Sequence, residues 1–155
     1  MPLAWRIVRA ARVNSAFTGE GARVYGGRWN SRGTGVIYVS QHESLAALEL
    51  LVHLTPLFPN DRYLSFRLEW EEKLTDYFSL KKLPSRWNAD PPVLETMQIG
   101  DEWVRGGNSV ALAVPSVLSA SEMNFLLTPK HSDFKKIKIS KPLEYRFDSR
   151  LVHRQ

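Results

Sequence analysis

The chain is predicted to fold as a single α+β domain, and three observations carry the prediction. Its 155 residues suit one domain of ordinary size. Its hydrophobic content of 43%, with five Trp, five Tyr and seven Phe, supplies a real core and argues against global disorder. Its short β-type runs interleave with two or three helical stretches without the regular β-α-β rhythm of a doubly wound sheet. No internal repeat, low-complexity tract or linker divides the chain, so the domain is assigned to 1–155.

In order, LAWRIVR (3–9) reads as an opening strand, and NSAFTGEGAR (14–23) as a loop of small and turn-forming residues. VYGGRWN and a second glycine-rich turn, SRGTG, lead into GVIYVS (35–40), a strand by its β-branched and aromatic content. Ser40 and Glu43 frame a capping box, which starts a helix near Gln41 that runs to Leu54 and stops before Pro56. YLSFRLEW (63–70) alternates as a strand, and PSRWNADPP (84–92) is a loop. VLETMQIGDEWVR (93–105) is a helix with an internal glycine, followed by a GGNS turn. VALAVPS is a buried strand ending at Pro115, and NFLL and KIKIS are two further short strands.

The absence of cysteine excludes a disulfide framework, a thiol nucleophile and thiolate metal sites, and fits a reducing compartment. The opening MPLAWRIVRAARVN scatters arginines through its apolar residues and has no separate apolar signal core. No apolar run has the length to cross a bilayer, so a soluble cytoplasmic protein is expected. His42, His53, His131 and His153 lack metal-ligand spacing, so no metal is expected. The net charge of +5 suits an anionic partner (nucleic acid, a phosphorylated ligand or an acidic protein) or simply a solvated basic surface.

Within LAALELLVH (45–53) the helix has almost no polar face, which predicts burial, yet Glu49 sits in its middle. Burying an unpaired carboxylate costs roughly as much as the whole stability of a small domain. Glu49 is therefore either the partner of a core arginine or a carboxylate held in an apolar pocket to stabilise a developing cation or accept a proton. GGRWN (26–30) is either a tight turn with an exposed Arg28 or a glycine-built anion nest to which Arg28 adds a fork of donors. It matches neither a P-loop nor a dinucleotide-binding fingerprint. Tyr38 faces away from Ile37 and Val39, as a core aromatic or a stacking ring. Ser116 follows Pro115 outside any G-x-S-x-G setting, so hydrogen bonding suits it better than nucleophilic attack. Asn124 interrupts an apolar run and either caps or binds.

Taken in order, FTGEGARVYGGRWN (17–30), GVIYVS (35–40), LAALELLVH (45–53), QIGDEWV (98–104), AVPS (113–116) and EMNFLLTPKHSDF (122–134) resemble the RES domain family. The likeness spans nearly the whole chain. It implies an ADP-ribosyltransferase-like fold, a split twisted sheet with flanking helices around an NAD cleft. It further implies a bacterial toxin that degrades NAD+ at the nicotinamide–ribose bond by hydrolysis or phosphorolysis, or that modifies a protein target. The implied partner is an Xre-like helix-turn-helix antitoxin, which forms an oligomer with the toxin and supplies its only link to DNA. NAD+ is then substrate rather than cofactor, with phosphate as a possible co-substrate.

By position, the family's Arg falls on Arg28, its Tyr on Tyr38, its Glu on Glu49 and its Ser on Ser116. Asn124 matches an Asn that often follows, and Thr128 stands where many members have Asn. The resemblance implies that Glu49, Arg28 and Ser116 are catalytic, and that Arg28, Tyr38, Ser116 and Asn124 bind substrate. The rival from another class is a basic nucleic-acid-binding module, against which no recognition motif is visible. A purely structural partner of a DNA-binding protein is a third reading.

Overall fold

The computed structural model describes residues 1–53 and 61–152. Among these residues, eight strands form one hydrogen-bonded sheet. They are β1 (Leu3–Arg9), β2 (Ile37–Ser40), β3 (Tyr63–Glu69), β4 (Thr75–Tyr77), β5 (Ala111–Pro115), β6 (Met123–Leu127), β7 (Lys138–Ile139) and β8 (Leu143–Tyr145). The order is β4-β5-β6-β2-β1-β3-β7, with β8 also alongside β3. Only β4 and β5 pair in parallel. Four α-helices accompany them: α1 (Glu20–Tyr25), α2 (Glu43–His53), α3 (Leu94–Gly106) and α4 (Ser149–Val152).

The sheet is continuous but unevenly knit. β1 and β3 stay in register over their whole length, from Leu3↔Glu69 to Arg9↔Tyr63. β1 meets β2 at a single pair, Trp5↔Ser40. Two ribbons, β4-β5-β6-β2 and β1-β3-β7, thus join at a narrow seam, which gives the expected split. Arg6 crosses this seam: its Nη1 donates to the Tyr38 carbonyl at 2.8 Å and its Nε to the Ala16 carbonyl at 2.8 Å. Burial draws the guanidinium down to about 10, so it remains charged at neutral pH.

The two-residue period sorts side chains cleanly between faces. Ala4, Val8, Ile37, Val39, Phe66, Leu68, Ala111, Ala113, Phe125 and Leu127 form the main core on one face, with Trp70 packed edge-on to Phe125. The opposite face carries Ile7 and Tyr63 beneath α2, which contributes Ala46 and Ala47 to the same cluster. It also carries Leu112, Val114 and Leu126, against which Ile99, Trp103 and Val104 of α3 pack. α2 and α3 therefore cover different parts of one face, over opposite ribbons.

Several expectations change. The capping box does not form: Ser40 ends β2 and donates to Asn124, while Glu43 accepts from Ser65, so α2 begins at Glu43 after a bend. The expected end at Leu54, and Pro56, lie outside the described residues, as does His153. α2 is not buried all round. Leu45, Ala46 and Ala47 are buried, whereas Leu48 is 44% exposed and Val52 54%. The stretch expected to be a loop at 14–23 holds the start of α1. Only Lys138–Ile139 of KIKIS is strand, and β4 and β8 are additional.

Candidate active site

The alternation that builds the core also builds the site. On β2, Tyr38 and Ser40 point to the face that carries α2 and α3. On β6, Asn124 points the same way as Leu126, because Ser40 pairs with Asn124 and Tyr38 with Leu126. Ser116 continues the Leu112–Val114 row just past the end of β5, and its N–H still donates to the Glu122 carbonyl at 3.0 Å. Glu49 arrives from α2, the helix over the neighbouring ribbon.

Three of these residues meet directly. Asn124 Nδ2 donates to Glu49 Oε1 at 2.7 Å, and Ser116 Oγ donates to the same oxygen at 3.0 Å. Both donors are themselves held. Ser116 Oγ accepts from the Leu118 N–H at 3.1 Å, and Asn124 Oδ1 accepts from Ser40 Oγ at 2.7 Å. No hydrogen bond from a described residue reaches Glu49 Oε2. Glu49 is thus neither orphaned nor paired with a core arginine. Neutral donors hold it, the core arginine Arg6 serves backbone carbonyls instead, and one carboxylate oxygen is left for another group.

GGRWN turns out to be a tight turn that supports the arginine, and not an anion nest. The N–H groups of Gly26, Gly27, Trp29 and Asn30 are spent on Ala22, Asn30, the Tyr38 hydroxyl and Gly27. Arg28 Nη1 donates to the Trp87 and Ala89 carbonyls at 2.9 and 2.6 Å. That anchors one nitrogen and leaves the Nε–Nη2 edge with no bond among the described residues, a fork shaped for a phosphate or carboxylate. Arg28 and Glu49 make no direct contact, although both lie close enough to act electrostatically on Tyr38.

Tyr38 works as a strut. Its hydroxyl donates to Asn30 Oδ1 at 2.5 Å and accepts from the Trp29 N–H at 3.2 Å. Burial, reinforced by Asp101 and Glu49, pushes the phenol well above its ordinary value against weaker opposition from Trp29 and Arg28, so it stays neutral. A Cβ on Gly27 would come within 2.8 Å of the Tyr38 hydroxyl, so a glycine there lets the strut reach the turn. The ring packs against the cluster of Trp29, Val36 and Leu126.

Sequence reasoning missed the supports. Ser40 reads locally as a helix cap, and no local signal marks Asn30. Asn30 is fully buried and its Nδ2 donates to the carbonyls of Ala22, Ser31 and Thr34. Gly100 and Asp101 explain the QIGDEWV stretch. A Cβ on Gly100 would stand 1.6 Å from the Trp29 carbonyl oxygen, and Asp101 Oδ1 accepts from the Ser31 N–H at 2.9 Å. Their signal was a glycine interrupting a helix, which marks close packing. His53 is exposed at the end of α2. Ser116 is fully buried, which suits a group that orients Glu49 and disfavours a nucleophile.

This curled mixed sheet with few helices is an α+β fold. A chain of the crystal structure of the M. tuberculosis MbcT–MbcA toxin–antitoxin complex shares it, with a TM-score of 0.76 over 93% of this chain and 84% of that one, at 14% identity. The RES domain model matches residues 3–148, and the chain belongs to the RES domain family. It is 39% identical over 148 residues to Toxin Res of Yersinia enterocolitica, covering 95% of this chain and 97% of that protein. It is 40% identical over 149 residues to Toxin Res of Photorhabdus laumondii, covering 96% of each. It is 33% identical over 156 residues to the Prs ADP-ribosylating toxin of a Sphingobium species, covering 97% of this chain and 96% of that protein.

Proposed function

We propose that the chain is the toxin of a bacterial toxin–antitoxin pair and that it cleaves the nicotinamide–ribose bond of NAD+, with water or phosphate as acceptor. The observation that carries this reading is the Glu49 carboxylate, with Oε1 secured by Ser116 and Asn124 and Oε2 unengaged among the described residues. Breaking the bond sends its electron pair to nicotinamide, which leaves neutral and needs no general acid. Positive charge develops on the ribose, and a fixed carboxylate in a partly buried setting stabilises it without reorganising. The acceptor oxygen then bonds to the anomeric carbon and its proton goes to solvent.

The free edge of Arg28 binds the pyrophosphate or the adjoining ribose. Tyr38 walls the nicotinamide pocket with its ring, since its hydroxyl is committed to the turn. Ser116 acts through Glu49. NAD+ is a substrate in this scheme and no metal takes part.

The test is to mix the purified chain, free of antitoxin, with NAD+ in phosphate and in phosphate-free buffer and to follow nicotinamide by chromatography. Release in both buffers supports glycosidic cleavage, and the ribosyl product names the acceptor. Release only with phosphate marks a phosphorylase. No release in either buffer from folded protein removes the reading.

A second reading, ADP-ribosylation of a protein, is favoured by the Sphingobium relative whose name carries that activity. The same Glu49 would serve it, with a side chain of the target as acceptor. In either case the antitoxin is proposed to be an Xre-like helix-turn-helix protein that assembles with the toxin, makes any contact with DNA, and silences the site by inserting an acidic segment. The net charge of +5 suits such an insert. Among the described residues no helix is long and apolar enough to cross a membrane, and the proposed site of action is the cytoplasm.

A further inference from the structure

The Asn124 amide has two faces of nearly the same shape, and the chemistry of its neighbours decides which way it points. A carboxylate only accepts, so Asn124 must present Nδ2 to Glu49 Oε1, as it does at 2.7 Å. Its Oδ1 then faces Ser40 Oγ at 2.7 Å, so the Ser40 hydroxyl must donate. Ser40 and Asn124 are register partners on β2 and β6, and Ser40 is 4% exposed, so little water can take the place of its hydroxyl. The other holder of Oε1 is secured in the same manner, with Ser116 Oγ accepting from the Leu118 N–H.

We infer that Ser40 is a positioning residue for the reaction. It touches no reacting atom, and acts by fixing the Asn124 amide, which with Ser116 pins one oxygen of Glu49 and so aims the other at the ribose. In its kinetic part this rests on the NAD+-cleavage reading. It also reassigns Asn124 from a substrate contact to a clamp on the carboxylate. Without the Ser40 hydroxyl, the amide loses the acceptor side of its hold and rocks about its last torsion. Glu49 keeps its charge but loses its fixed direction, which lowers turnover without removing the groups that bind the dinucleotide.

The experiment compares wild type, Ser40→Ala, Ser40→Thr and Ser40→Cys. It measures kcat and KM for nicotinamide release from NAD+, and the side-chain amide signals of Asn124 in a ¹H–¹⁵N spectrum, assigned by their loss in Asn124→Ser. Ser40→Ala is expected to lower kcat on the order of 10- to 100-fold with KM held within about threefold, and to move or broaden the Asn124 amide pair. Ser40→Thr, which restores a hydroxyl, is expected to return kcat to within about threefold of wild type. A wild-type kcat in Ser40→Ala overturns the inference, as does an unmoved Asn124 signal. If Ser40→Ala does not fold, Ser40→Cys carries the same two readings with a weaker donor, and wild-type behaviour there overturns it. If wild type itself releases no nicotinamide, the NAD+ reading fails, and the amide signal alone decides the clamp: a shift in Ser40→Ala supports it and no shift removes it.

Discussion

Glu49 and Gln differ little in shape, and a glutamine amide oxygen can still accept from both Ser116 and Asn124. Glu49→Gln therefore removes the charge and little else. Nicotinamide release is expected to fall about 100- to 1000-fold, with unfolding free energy within about 1 kcal/mol of wild type by urea denaturation. A variant that unfolded instead would make Glu49 structural. Tyr38→Phe has the opposite profile, because it leaves the buried Asn30 Oδ1 and the Trp29 N–H without their partner. A loss of about 1–3 kcal/mol is expected in the same urea experiment. The phenol also sets a pH slope. Below its ordinary value of 10.0 it is neutral folded and unfolded and contributes none. Above that, the unfolded chain ionises while the folded phenol holds its proton, so stability falls as pH rises. Tyr63, Tyr77 and Tyr145 are raised as well and add to the slope, so Tyr38→Phe is expected to make it shallower than in wild type, which urea midpoints between neutral and strongly alkaline pH would show.

At the scale of elements, α3 and the GGRWN turn are one unit. Alanine normally favours a helix interior over glycine by about 1 kcal/mol. At Gly100 the sign reverses, because a Cβ would stand 1.6 Å from the Trp29 carbonyl oxygen and the helix must move off the turn that carries Arg28. Gly100→Ala is expected to cost about 1–3 kcal/mol net and to lower nicotinamide release along with thermal stability. An unchanged melting temperature would contradict that docking. The same scale shows what the sequence could and could not reveal. β1 and β3 were legible to within a residue because their β-branched and aromatic residues favour strands and the two pair along their full length. The start of α2 was not. Ser40 and Glu43 have capping-box spacing, but Asn124 and Ser65, remote in sequence, claim their side chains. Long-range competitors of that kind leave no local trace. The anchor of Arg28 was illegible for a related reason, since its partners are backbone carbonyls, which every residue has.

For the molecule as a whole, the seam between ribbons is the structural weak point, and Arg6 is its rivet. One register pair joins β1 to β2, and the guanidinium supplies the further link to the Tyr38 carbonyl. Arg6→Lys keeps the charge but cannot reproduce both bonds. It is expected to cost about 1.5–3 kcal/mol and to speed hydrogen exchange of β2 amides more than those of β3. Uniform exchange across both ribbons would show that the seam is not weak. The candidate residues were recoverable from ordered motifs along the chain, yet their convergence depends on this seam: Glu49 rides on the helix over one ribbon, while Ser116 and Asn124 extend from the other. This convergence is proposed to make Glu49 the catalytic carboxylate and not a binding group. The most direct measurement is a paired one, NAD+ affinity by calorimetry and nicotinamide release at saturating NAD+, for wild type and Glu49→Gln. Retained affinity with turnover lost is the expected result. Wild-type turnover in Glu49→Gln would overturn that role for Glu49, as would equal loss of binding and turnover.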